Sequence, residues 1–195
     1  MKVISKTMFL NDTEKSARNL LGKLLVHRLP EGEVAGKIVE TEAYLSEKDS
    51  ACHASRGKTR RNEAMFGPPG TAYVYLIYGM YYCFNVVTRE KGIGEAVLIR
   101  ALEPLEGIDY MCHRRGTSHK LNLASGPGKL CQAMGITKDH NGIELTGQYN
   151  LFILDTGENL PYKRSPRVGI STAKNKLLRF YVPHNPYVSA ARFNK

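Results

Sequence analysis

Apolar side chains recur along this chain at two spacings, and each spacing predicts a kind of element. At Ala17, Leu20, Leu21 and Leu24 the interval of three or four residues gives one buried helical face, with Asn11, Asp12 and Thr13 placed to cap it. Beyond it the period drops to two. Leu24 to Leu29 and Val34 to Leu45 read as a strand pair joined at Glu31-Gly32-Glu33. Ser46 to Gly70 is polar, basic and rich in Gly and Pro, which predicts loops with one short helix near Ser50 to Ala54. A second hairpin follows, with Tyr73, Tyr75 and Ile77 on one face, Val74 and Leu76 on the other, and Gly79 at the turn. Its return strand alternates Tyr81, Cys83, Asn85 and Val87 on one side.

After the Gly92-Ile93-Gly94 turn, Ala96 to Leu102 is a strongly apolar strand. A helix is predicted beyond Pro104 to about Arg115, and another from the Ser125-Gly126-Pro127 cap through Met134, stopped by Gly135. Leu151 to Leu154, Arg167 to Ser171 and Leu178 to Val182 complete the strands. Sequential hairpins with few helices predict the α+β class: one domain over residues 1–195, a curved, mostly antiparallel and open-barrel-like sheet, a protruding hairpin and peripheral helices.

Charge narrows the partners. The 195 residues carry 28 Lys and Arg against 18 Asp and Glu, a net +10, which favours nucleic acid, an anionic membrane or an acidic protein. Between Ala64 and Thr88 there is no charged side chain, yet five tyrosines, Asn85 and a Pro68-Pro69-Gly70 break interrupt the roughly 20 apolar residues that a membrane helix requires. A tyrosine projecting from a hairpin end in a basic protein points to nucleic acid. Cys52, Cys83, Cys112 and Cys131 have no paired spacing, and Cys52-His53 and Cys112-His113 are too close to serve as zinc-ligand pairs, so inert thiols and no metal are expected. Met1 to Leu10 lacks the apolar core of a signal peptide, and the expected location is the cytoplasm.

Glu40 and Glu42 share one face of an otherwise apolar strand. Two readings stand: structural ion pairs with Arg56, Arg60, Arg61 or Arg100, or a general base in a cleft. Arg56-Gly57-Lys58-Thr59-Arg60-Arg61 reads either as a phosphate-gripping loop or as a solvated basic one. Tyr44, Tyr75 and His53 fit an ordinary core or surface as readily as a pocket, whereas an inward Asn85 demands hydrogen-bond partners.

Taken in order, Ile38-Val39-Glu40-Thr41-Glu42-Ala43-Tyr44-Leu45, His53, Pro69 to Tyr81, Arg100 to Gly107, Ser125 to Ala133 and Leu178 to Val182 resemble the alkyladenine (methylpurine, 3-methyladenine) DNA glycosylase family. The resemblance implies a monofunctional enzyme that flips alkylated or deaminated purines out of damaged double-stranded DNA and hydrolyses the N-glycosidic bond, without metal or cofactor. It implies Glu42 as general base, Tyr44, His53 and Tyr75 as walls stacking on the flipped base, and Asn85 as the group that clashes with the 2-amino group of guanine. Tyr78 is implied as the wedge filling the vacated space, with Met80, Tyr81, Arg100, Lys58 and Thr59 as further DNA contacts. A monomer suffices for this chemistry. Competing readings are a noncatalytic nucleic-acid-binding module and a small-molecule hydrolase with an aromatic pocket.

Overall fold

The computed structural model describes residues 1–10 and 12–189, so the proposed capping role of Asn11 lies outside the described residues. Among the described residues nine strands are interspersed with three α-helices: β1 (Lys2–Val3), α1 (Thr13–Asn19), β2 (Leu24–Leu29), β3 (Gly32–Tyr44), β4 (Ala72–Ile77), β5 (Tyr81–Thr88), β6 (Glu95–Glu106), α2 (Ile108–Arg115), α3 (Pro127–Met134), β7 (Leu151–Asp155), β8 (Lys163–Ser165) and β9 (Arg179–Tyr181). Every pairing is antiparallel, in the order β1-β7-β2-β3-β6-β5-β4. The sheet does not close into a barrel. As expected from the sequence, the class is α+β, with the helices set against a large antiparallel sheet.

Strand β3 organises the sheet because it changes partner halfway along. Its first half pairs with β2, and at Glu40 to Glu42 it pairs instead with β9, while β6 runs along its other edge. The ladder to β6 slips on either side of Glu40, as at a bulge, where one strand carries an extra residue and bends. That bend faces Arg100 towards both carboxylates.

The two faces of the β3-β6-β5-β4 sheet bury different things. Val74, Phe84, Val86, Val97, Ile99 and Ala43 belong to the main core, which α1 and α3 cover. Full burial of a side chain such as Phe84 is worth about 1.5–3 kcal/mol. The opposite face carries Tyr73, Val87 and Ala96, packed with Cys52, Ala54 and Met65 from the long irregular segment. Helix α1 starts where the Asp12 carboxylate accepts a hydrogen bond from the Lys15 N–H at 2.8 Å. Helix α3 begins with Pro127 and ends at Gly135 in the left-handed region (φ 68°), as the Gly-Pro and Gly signals predicted.

Three expectations need correction. Arg167 to Ser171 is an irregular segment, and the strand in that region is Lys163–Ser165, which pairs with β9. The helix placed near Ser50 to Ala54 is a single 3-10 turn over His53–Arg56, too short to show a helical period. Helix α1 ends at Asn19, and Leu20 and Leu21 are buried in the turn that follows, so their spacing reported a buried patch rather than a longer helix.

Candidate active site

Register across four strands assembles the site. Tyr73 pairs with Asn85, Asn85 with Leu98, and Leu98 with Glu42, so these four side chains form a row on the face away from the main core. Two residues along, Tyr75 pairs with Cys83 beside Arg100, and Tyr44 pairs with Ala96 on the other side. Above this row lies a cleft of about 460 Å³, within the usual range of ligand pockets. Tyr44, His53, Tyr75, Asn85, Tyr78 and Tyr81 line it, together with Arg100, Leu98 and the Val168 to Thr172 segment.

Six aromatic side chains, Tyr73 among them, line this cleft. The His53 ring meets Tyr75 edge-on at 4.6 Å between centroids, and its Nδ1 lies 2.8 Å from the Tyr73 hydroxyl. Tyr73 and Tyr75 lie 5.3 Å apart, tilted by 34°. Burial raises the hydroxyl pKa of both well above the ordinary tyrosine value, so they remain neutral. The Asn85 amide donates to the Tyr73 carbonyl at 2.9 Å, which satisfies its NH2 group and fixes its orientation.

Glu42 has no exposed surface. Its Oε1 accepts a hydrogen bond from the Val168 N–H at 2.8 Å, and its Oε2 accepts one from the Tyr44 hydroxyl at 2.8 Å. Arg100 Nε stands 3.4 Å from Oε1. All three neighbours line the cleft, so the carboxylate lies directly behind its wall. Burial and the adjacent Glu42 charge push the Tyr44 hydroxyl well above the usual range, which keeps it protonated as a donor.

Arg100 is not the exposed side chain that a surface DNA contact would need. It is 7% exposed and donates from Nε to Glu40 Oε1 at 3.0 Å. Burial opposes its charge, but Glu42 and Glu40 together raise its pKa, so it stays cationic behind the cleft. Of the four arginines considered for the carboxylates, Arg100 is the one that pairs with them among the described residues. Glu40 also receives Arg179 Nε at 2.6 Å and both the Ser189 N–H and hydroxyl at 2.8 Å.

Tyr78 occupies the hairpin tip. Ile77 pairs with Tyr81, and the Met80 N–H donates to the Ile77 carbonyl at 3.2 Å across Tyr78 and Gly79, both in the left-handed region at φ 53° and 71°. Glycine adopts that backbone without penalty, and the turn leaves Tyr78 79% exposed. Met80 is exposed beside it, and Tyr81, also exposed, lines the cleft edge. A Cβ on Gly128 would come within 3.1 Å of Tyr81, so helix α3 packs closely against the hairpin here.

The basic loop is braced against the same hairpin by Arg61, which donates to the Leu76 carbonyl at 3.1 Å. Lys58 is ion-paired to Glu63 at 2.8 Å, and the Thr59 N–H donates to Asn62 Oδ1 at 2.6 Å, so both are held within the loop. Sequence reasoning missed Arg179, Asp49, Arg167 and the Val168 to Thr172 wall. Arg179 had a legible signal, a cation inside the apolar Leu178 to Val182 strand, but the wall sits on irregular backbone without periodicity. Among the described residues no group of three or more His, Cys, Asp or Glu side chains is placed to hold a metal ion, and no helix is long and apolar enough to cross a membrane.

An aromatic cleft backed by a buried carboxylate thus lies beside an exposed tyrosine turn. Residues 7–186 match the profile of the methylpurine-DNA glycosylase family, and the chain belongs to that family of N-glycosyl hydrolases acting in DNA repair. It is 53% identical over 182 residues to a protein of Methanoculleus marisnigri, covering 91% of this chain and 94% of that one. A Methanocella arvoryzae protein is 49% identical over 193 residues, covering 97% and 96% of the two chains. A Chlorobaculum tepidum protein is 46% identical over 193 residues, covering 97% and 91%. All three relatives carry the provisional name 3-methyladenine DNA glycosylase.

Proposed function

We propose that this chain is a monofunctional glycosylase that turns an alkylated or deaminated purine out of duplex DNA into the aromatic cleft and hydrolyses its N-glycosidic bond with Glu42 as general base. The observation that carries this is the placing of Glu42, whose neighbours Tyr44, Arg100 and Val168 are themselves cleft wall. A purine stacked in a duplex hides its glycosidic bond, so the nucleotide has to be extruded at a cost of a few kcal/mol, less for a poorly paired lesion. Tyr78, exposed on the hairpin turn at the cleft edge, is suited to fill the vacated stack. Tyr44, Tyr75 and His53 then sandwich the base, each aromatic platform contributing about 1–3 kcal/mol, and Asn85 opposes the 2-amino group of normal guanine.

Cleavage develops positive charge on the sugar. A carboxylate beside it stabilises that charge and takes the proton of the attacking water. Glu42 is closed off in the free protein, so the water enters between Tyr44, Arg100 and Val168 as the base seats. Among the described residues no lysine lines the cleft, which supports hydrolysis over a lyase step through an amine. Exposed Arg56, Arg60 and Arg61, with Met80 and Tyr81 on the hairpin, suit the flanking backbone. One copy supplies every group named, so the working unit is a monomer.

The test is release of 3-methyladenine, 7-methylguanine and hypoxanthine from single-lesion duplexes and from the free nucleosides, by wild type and Glu42→Gln. Wild type should act on duplex alone, and Glu42→Gln should bind the lesion duplex but lose about 10²–10⁴-fold in release. Release by Glu42→Gln at the wild-type rate would remove Glu42 from the chemistry, and wild-type activity on free nucleosides would favour a small-molecule hydrolase.

A further inference from the structure

Asp49 and Arg167 form a buried pair that the mechanism above does not use. Arg167 donates from its two terminal nitrogens to the Asp49 carboxylate at 2.7 and 2.5 Å, and neither side chain is exposed. The Arg167 guanidinium lies 4.5 Å from the Tyr44 ring centroid, and its Nη1 also donates to the Ala43 carbonyl at 2.9 Å. With the Val168 N–H on Glu42, two consecutive residues therefore grip Glu42, Ala43 and Tyr44 in turn. Tyr44 lines the cleft and Arg167 does not, so the phenol ring separates the guanidinium from whatever occupies the cleft.

A cation held against an aromatic ring takes up part of that ring's attraction for a second cation on its other side. Left alone, Arg167 would repel a cationic base stacked on Tyr44. Asp49 cancels that charge. Burial opposes its ionisation, but the Arg167 hydrogen bonds and the Leu45 and Ala51 N–H groups hold its pKa below the usual carboxylate range, so the pair stays ionised and neutral overall. Among the described residues Arg167 Nε is buried without a hydrogen-bond partner, so the guanidinium is held by its terminal nitrogens and by its stacking on Tyr44.

We propose that the Arg167–Asp49 pair is a positioning and selectivity element: it fixes the Tyr44 platform while keeping the back of that platform electrically neutral, so that the cleft admits positively charged purines as well as neutral ones. This rests on reading the cleft as the purine site. The readout is the ratio of single-turnover release rates for 7-methylguanine, a cation, and hypoxanthine, which is neutral, from otherwise identical duplexes. Asp49→Asn uncovers the Arg167 charge and should lower the ratio about tenfold, the order expected for two like charges about 8 Å apart in a partly screened site.

The neutral double variant Asp49→Asn with Arg167→Met should return the ratio to that of wild type, although both rates fall. Arg167→Lys keeps the charge pair but loses the planar fork, and should lower both rates with the ratio unchanged. Should Asp49→Asn fail to fold by circular dichroism, Asp49→Ser exposes the same charge while keeping an acceptor for the Leu45 N–H. A ratio that stays at the wild-type value in the folded Asp49 variant would reduce the pair to a structural tie and overturn the proposal. If wild type released neither base, the purine reading itself would fail, a different result from an unmoved ratio.

Discussion

Glu40 and Glu42 lie two residues apart on one face of β3, both with no exposed surface, yet their surroundings differ in kind. Glu40 is enclosed by two guanidinium groups and both polar groups of Ser189. Burial alone would raise its pKa, but Arg100 and Arg179 outweigh it and hold the carboxyl below its ordinary value. Glu42 is held by a phenol and a backbone amide, with Arg100 at a longer distance. A carboxylate saturated by cations is a structural anion, whereas Glu42 is held mainly by neutral donors beside the cleft wall. The difference is that Glu40 faces β9 and the chain after it, while Glu42 faces the cleft wall.

Exchanging the two carboxylates in turn gives the largest effects. Glu42→Gln should leave melting close to wild type while base release falls by the factor given above. Glu40→Gln should do the reverse in kind, costing about 3–5 kcal/mol of stability because Arg100 and Arg179 lose a buried counter-charge. Chemical denaturation beside a single-turnover assay on both variants checks this. Equal loss of stability in the two would erase the distinction.

Tyr44→Phe makes a finer cut. It keeps the ring over Arg167 and removes the hydrogen bond to Glu42, so release should fall by about tenfold with roughly 1.5 kcal/mol or less of stability lost. A rate identical to wild type would show that the phenol does not hold the carboxylate in place.

Acid titration gives the smallest effect. Because the folded-state pKa of Glu40 is depressed, the unfolded chain binds more protons at low pH, so this contribution is present above about pH 4.5 and is lost as pH falls through the depressed value. Melting temperatures from pH 6 to pH 3 should therefore fall less steeply in Glu40→Gln than in wild type. Parallel curves would mean that Glu40 is not the group responsible.

Periodicity settled most of the fold before any coordinates. Seven of the eight expected strands and three of the four expected helices are present among the described residues, and the tyrosine hairpin turns at Tyr78-Gly79. These elements are set by local spacing and by glycines that accept positive φ, properties written into neighbouring residues. The site was legible in part for the same reason. A strand face bearing two glutamates within apolar sequence announced a buried charge requiring partners, and Asn85 in the hairpin announced a hydrogen-bonded wall. Which glutamate had which role was open on the residues alone, because the answer depends on Arg179, Ser189 and Val168, at least 126 residues away from them in sequence.

The chain by itself determined the elements, the basic surplus and the family motifs, since these are properties of composition and near-neighbour order. Only the tertiary structure decided that Arg100 is buried against carboxylates, that the irregular Val168 to Thr172 segment lines the cleft, and that Asp49 pairs with the Arg167 cation behind Tyr44. The physical reason is that long-range electrostatic pairing and loop closure depend on where distant segments meet, and no local spacing rule encodes that meeting.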